Sequence, residues 1–62
     1  MIEKDITDKE FTEWLSKFGK WSYLHFGYPP NGYTNYYDQN DNHVALVVYS
    51  HINRRIFIRE KS

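Results

Sequence analysis

Three histidines, His25, His43 and His51, are the only side chains in this 62-residue chain whose ordinary pKa lies near neutrality. They are the natural candidates for proton transfer or for metal. Their spacings of 18 and 8 residues match no zinc signature, and there is no Cys to supply a thiolate. His43 follows Asp41-Asn42, which brings a carboxylate near an imidazole, but a pair within one loop reads as a structural contact. Asp38-Gln-Asn-Asp41-Asn superficially resembles a calcium loop. It lacks the central Gly and the Glu at position twelve of such loops, so it reads as a polar turn in which Asx side chains bond the local backbone.

Nucleophilic and phosphate chemistry fare no better. No Ser or Thr sits in a nucleophile-elbow setting, and with three Gly in the chain there is no glycine-rich cradle for phosphates. Metal-free RNA cleavage on a helix-backed sheet would need Arg, His and Tyr. His25, His51, Tyr49, Arg54 and Arg55 supply the residue types, but no motif fixes their geometry. The expectation is a protein that is not an enzyme and holds no metal or cofactor.

Binding is better supported than reaction. Seven of the twelve aromatic residues fall between Trp21 and Tyr37, and the stretch ends in turn-type sequence, Tyr28-Pro-Pro-Asn-Gly-Tyr33 followed by Thr34-Asn-Tyr-Tyr37. A domain this small cannot bury twelve large rings in one core, so some must lie at the surface. Tyr carries large area on two rotatable angles, and Tyr with Ser, Gly and Asn is the vocabulary of contact loops. The expected protein-binding residues are Tyr33, Tyr36 and Tyr37 as anchors, Tyr28 and Asn31 shaping their loop, and Arg54 and Arg55 in support. Single-stranded nucleic acid is the alternative, with bases stacked on tyrosines and phosphates held by the C-terminal arginines. Eight basic against eight acidic residues, and no RNA-recognition consensus, weigh against it.

Composition bounds the rest. The chain reads as one domain, residues 1–62, without repeats or linkers. A domain of this size buries only ~60% of its unfolded surface, and without Cys it has no disulfide to help. Self-association or a larger protein partner is the remaining route to extra stability. The charged start, Met1-Ile-Glu-Lys-Asp5, does not resemble a signal peptide, and the longest apolar run, Val44–Tyr49, is six residues. A cytoplasmic protein with no membrane span is expected. Its small size and lack of reactive groups suggest an inhibitor or regulator of a larger protein, first of all one encoded by a virus or mobile element. Acidic residues gather in 1–16 and basic ones in 50–62, which reads as a solvated helix face and a charged edge strand.

Among the elements that must position these residues, the helix is the clearest. Thr7-Asp-Lys-Glu10 is a capping box, with Ile6 and Phe11 as a hydrophobic staple. Phe11, Trp14, Leu15 and Phe18 share one face of a helix over residues 8–18, and Gly19 suits a left-handed cap. Beyond it the chain reads as strands over 21–28, 32–38, 43–50 and 54–60, with turns at 29–32, 39–42 and 51–53 and fraying in the last two or three residues. Connections this short specify hairpins. The expected fold is α+β, one N-terminal helix packed on a small antiparallel meander of three to four strands. Val44, Leu46 and Val48 alternate with Ala45, Val47 and Tyr49, and either set could face the helix; Val44, Leu46, Val48, Ile56 and Ile58, with Leu24 and Phe26, are the expected set. Ala45, Val47, Tyr49 and Phe57 would then lie on the open face.

Overall fold

A computed structural model describes residues 1–28, 30–51 and 53–59. Pro29 of the 29–32 turn, Ile52 of the 51–53 turn, and residues 60–62, where the last strand was extended and the terminus expected to fray, lie outside the described residues.

The helix α1 spans Asp8–Ser16. Its start is the expected capping box: the Glu10 amide donates to Thr7 Oγ1 at 3.1 Å and the Thr7 amide donates to Glu10 Oε1 at 2.9 Å. Its end comes two residues early. Lys17, Phe18 and Gly19 donate to carbonyls three residues back, tightening the final turn, and Gly19 takes a positive φ of 74° that suits a residue without Cβ.

Five strands follow the order β1-β5-β4-β3-β2, all antiparallel: β1 (Ile2–Lys4), β2 (Trp21–Phe26), β3 (Gly32–Asp38), β4 (His43–Tyr49) and β5 (Arg54–Ile58). β2 to β5 form the expected meander. β1 is additional, and corrects the count of three to four: Ile2, Glu3 and Lys4 pair with Ile58, Phe57 and Ile56 at the free edge of β5. The segment from β1 through α1 therefore carries the chain from one edge of the sheet to the other.

Directly paired residues of an antiparallel sheet share a face. The registers thus define two surfaces. Tyr23, Tyr36, Ala45 and Ile58 form one row, and His25, Thr34, Val47 and Ile56 the next. These rows carry the helix, whose Phe11 and Leu15 are buried with Val44, Ala45, Val47 and Ile56, while Ile6, Trp14, Phe18 and Tyr49 close the margin. The assignment of faces therefore differs from expectation. Val44, Ile56 and Ile58 are inside as expected, but Ala45, Val47 and Tyr49 replace Leu46 and Val48, and Leu24 and Phe26 face away. Size explains the choice. Four large helix side chains need small residues opposite them, and Ala45, Thr34 and Val47 are smaller than Leu46, Leu24 and Phe26. A bulge completes the core. Tyr36 pairs with Ala45 but Tyr37 pairs with His43, so Val44 has no partner, and both Val44 and Ala45 are buried although adjacent in sequence.

Candidate protein-binding surface

The second surface also has two main rows. Phe26, Tyr33, Val48 and Arg55 form one, and Leu24, Asn35, Leu46, Phe57 and Glu3 the other, with Ser22, Tyr37 and His43 along the margin. No described element covers it. Leu24 is 55% exposed, Phe26 46% and Tyr33 44%. The Phe26 and Tyr33 rings stack at 5.3 Å. Across the face, Arg55 lies 5.1 Å over the Phe57 ring and grips Glu3 with two hydrogen bonds of 2.9 Å, from Nε and from an Nη. That pair holds the Glu3 carboxyl below its ordinary pKa, chiefly through the hydrogen bond from Arg55, and raises the Arg55 guanidinium by the same contact. The centre contains a single polar side chain, Asn35, whose Oδ1 accepts from His43 Nε2 at 2.8 Å. Tyr37 lies against His43, ring to ring at 5.5 Å. An apolar centre with a polar margin is the anatomy of a contact surface.

The seven residues singled out from sequence do not form one patch. Tyr33, Tyr37 and Arg55 lie on this open face. Tyr28, at 88% exposure, and Asn31 project at the β2–β3 hairpin tip, where the Asn31 amide donates to the Tyr28 carbonyl at 2.8 Å. Tyr36 and Arg54 belong to the helix side. Tyr36 meets Phe11 edge-on at 5.0 Å and lies within 6.0 Å of the Trp21 and Tyr23 rings. Burial raises its phenol pKa, with the neighbouring phenols of Tyr49 and Tyr23 adding to the effect. Arg54 ties the helix start to the sheet, pairing with Asp8 and donating to the Ile6 carbonyl at 3.1 Å. Leu24, Phe26, Leu46, Val48 and Phe57 complete the open face. Only Phe57 was expected there.

Of the seven rings between Trp21 and Tyr37, five are exposed, two are half-buried and none is fully buried. Phe11 is the buried aromatic side chain among the described residues. The surplus of rings is therefore real.

Two of the histidines are engaged in hydrogen bonds. His25 Nδ1 is hydrogen-bonded to the buried Thr34 hydroxyl at 2.7 Å, and His43 is committed to Asn35. His25, Pro30, Asn31 and Tyr49 line an open depression of about 230 Å³ on the helix side. The Tyr49 ring stands 6.2 Å from the imidazole, and Arg54, paired with Tyr49 in register, is held by Asp8. The depression thus offers an imidazole already engaged and, among the described residues that line or adjoin it, no free cation. Asp38 shows the expected Asx turn: its carboxylate accepts from the amides of Asn42 and Asn40 at 3.0 and 2.8 Å, which, Asn42 first, lower its pKa. Among the described residues no three His, Cys, Asp or Glu side chains group to hold a metal, and no helix is long and apolar enough to cross a membrane.

No protein family, characterised protein or solved structure matches this chain.

Proposed function

We propose that this chain is a non-enzymatic protein-binding module that covers a site on a larger protein. The carrying observation is the apolar sheet face that no described element covers: exposed Leu24, Phe26 and Tyr33 and half-buried Leu46, Val48 and Phe57, with Arg55 at its side. A small domain has every reason to hide such a face, and this one leaves it to water or to another molecule. Phe, Tyr and Arg are also the side chains that anchor protein interfaces. In its narrowest form the proposal is an inhibitor of a cytoplasmic enzyme, encoded by a virus or mobile element, that acts by occlusion.

Single-stranded nucleic acid would use the same rings but would need cations for phosphate. Of the three arginines that reading would use, Arg54, Arg55 and Arg59, the first two are paired with carboxylates, and the chain carries no net charge, so the protein reading is preferred.

The test is affinity capture with the wild-type chain and with Phe57→Ala and Tyr33→Ala variants whose circular dichroism is unchanged. A partner retained by the wild type should bind each variant about 30-fold more weakly, equivalent to about 2 kcal/mol per anchor. Equal binding by all three chains removes the open face from the proposal. A binding constant that falls steeply with salt for a single-stranded oligonucleotide would favour the nucleic-acid reading instead.

A further inference from the structure

The two edges of the sheet are built differently. β1, at one edge, is three residues long and carries Glu3 and Lys4. Short length and charge are the usual protections against pairing with another strand. β2, at the other edge, has six residues, Trp-Ser-Tyr-Leu-His-Phe, and every one of them is exposed. It contains no Lys, Arg, Asp, Glu or Pro, and its ladder to β3 runs without a register shift. The helix packs over β3, β4 and β5 and leaves β2 uncovered. An unprotected edge offers a row of backbone donors and acceptors, and the occupant that satisfies such a row is an extended strand.

We infer that the strand is that of a second copy: β2 pairs antiparallel with β2 of another chain, joining two sheets across a two-fold axis normal to them. Two features favour a copy of the same chain. The strand has no formal charge, and neither does the chain as a whole, so two copies meet without net repulsion. The two-fold matches like faces, since it pairs odd positions with odd and even with even. A register centred on Tyr23 places Trp21 opposite His25 of the second copy; one centred on Leu24 places Tyr23 opposite His25. Lys20, the one charge adjoining the strand, decides against parallel pairing. Parallel strands would set the two Lys20 side chains together. The antiparallel register centred on Tyr23 places Lys20 across from Phe26, so the two lysines sit six positions apart along the strands, roughly 20 Å, beyond a Debye length of about 8 Å.

The flanking rings supply what the ladder lacks. A standard interface hides about 800 Å² on each partner, out of 4759 Å² exposed by this chain. In the register centred on Tyr23, Tyr23 would meet Tyr23 and Trp21 would meet His25 on the helix side, while Leu24 would meet Ser22 on the open side. The edge and the open face share Leu24 and Phe26, but Tyr23 lies on the helix side of β2 and Phe57 lies on β5, so self-association and capture of a larger partner separate by mutation at those two positions.

Sedimentation equilibrium across micromolar to millimolar concentrations tests the inference. The wild-type mass should double as concentration rises. Tyr23→Lys, at the middle of the strand and outside the open face, should remain monomeric, while Phe57→Ala should still dimerise. Wild type at monomer mass throughout overturns the inference, as does a Tyr23→Lys chain that dimerises like wild type. Should Tyr23→Lys not fold, amide exchange on the wild type decides. Amides of β2 should slow with concentration while those of β1 do not, and unchanged β2 exchange likewise overturns it.

Discussion

The two faces of this sheet are almost equally apolar, yet one became the core and the other did not. Beneath the helix lie Ala45, Val47, Ile56 and Ile58. Tyr36 and Tyr49 pack at its margin. On the far side lie Leu24, Phe26, Leu46, Val48 and Phe57, with the larger residues at the centre of β4 and β2. Burial followed fit rather than hydrophobicity. Phe11 and Leu15 bring large side chains of their own, and only the face with Ala45 and Thr34 lets the helix approach while filling space at interior density. The lesson is that a small domain can build its core on the face that leaves room at its centre for the helix, and leave the other available for contact.

The strongest way to break this comparison is to place the same charge on each face. Val47→Asp sets an unpaired carboxylate where the wild-type side chain is 2% exposed. An uncompensated buried charge costs several kcal/mol, comparable with the whole stability of so small a domain. Far-UV circular dichroism should show an unfolded chain. Leu24→Asp puts the carboxylate in water and should leave the spectrum folded, with a urea midpoint close to wild type. Equal damage from the two substitutions would mean that something covers both faces.

A smaller contrast uses the adjacent arginines. Arg54, on the covered side, holds the start of the helix through Asp8 and the Ile6 carbonyl. Arg55, on the open side, pairs with the half-exposed Glu3. Arg54→Ala should cost about 1–2 kcal/mol in urea denaturation, because the Ile6 carbonyl loses a charged donor. Arg55→Ala should cost less, because an exposed ion pair contributes little to stability, and should act mainly on partner binding. The reverse order would show that β1 is held by its salt bridge more than α1 is held by its own.

Much of this was legible in the sequence, and what failed did so for identifiable reasons. The capping box at Thr7 and Glu10 is local chemistry and is seen as read. So is β3, whose limits at Gly32 and Asp38 coincide with a turn signal on each side. β1 was missed because Ile2-Glu-Lys4 has no pattern of its own; it is a strand only because β5 has a free edge beside it. The faces were misassigned by one residue of turn. With residues 51–53 as the turn, Ser50 would face Arg54 and Val48 would face Ile56. The connection instead comprises residues 50–53, closed by the Ser50 amide on the Asn53 carbonyl at 2.9 Å, so Tyr49 faces Arg54 and Val47 faces Ile56. A one-residue slip exchanges every side chain between faces. Tyr36 was read as a surface anchor for a related reason: its parity with Ala45 depends on a register that begins at a bulge. Of the candidate site, the excess of rings was legible, but which rings share a surface was not.

The finest test separates the faces by pH. On the open face, Arg55 depresses the Glu3 carboxyl, so the pair stabilises the fold fully above the ordinary value of 4.5 and is lost as pH falls through the lower folded value. On the covered face, burial raises the Tyr36 phenol, so its contribution is intact below the ordinary value of 10.0 and is lost as pH rises through the higher folded value. The urea midpoint should therefore decline at both ends of the pH scale, for reasons lying on opposite faces. Glu3→Gln should soften the acid decline and leave the alkaline one unchanged. Tyr36→Phe should do the reverse, since the ring still packs on Phe11 but has no proton to lose. The acid limb will not vanish in Glu3→Gln, because Asp38, also depressed, gives up its amide contacts in the same direction. A Tyr36→Phe chain with an unaltered alkaline decline would show that the phenol meets water freely, and that the helix covers less of its face than the packing of Phe11 on Tyr36 requires.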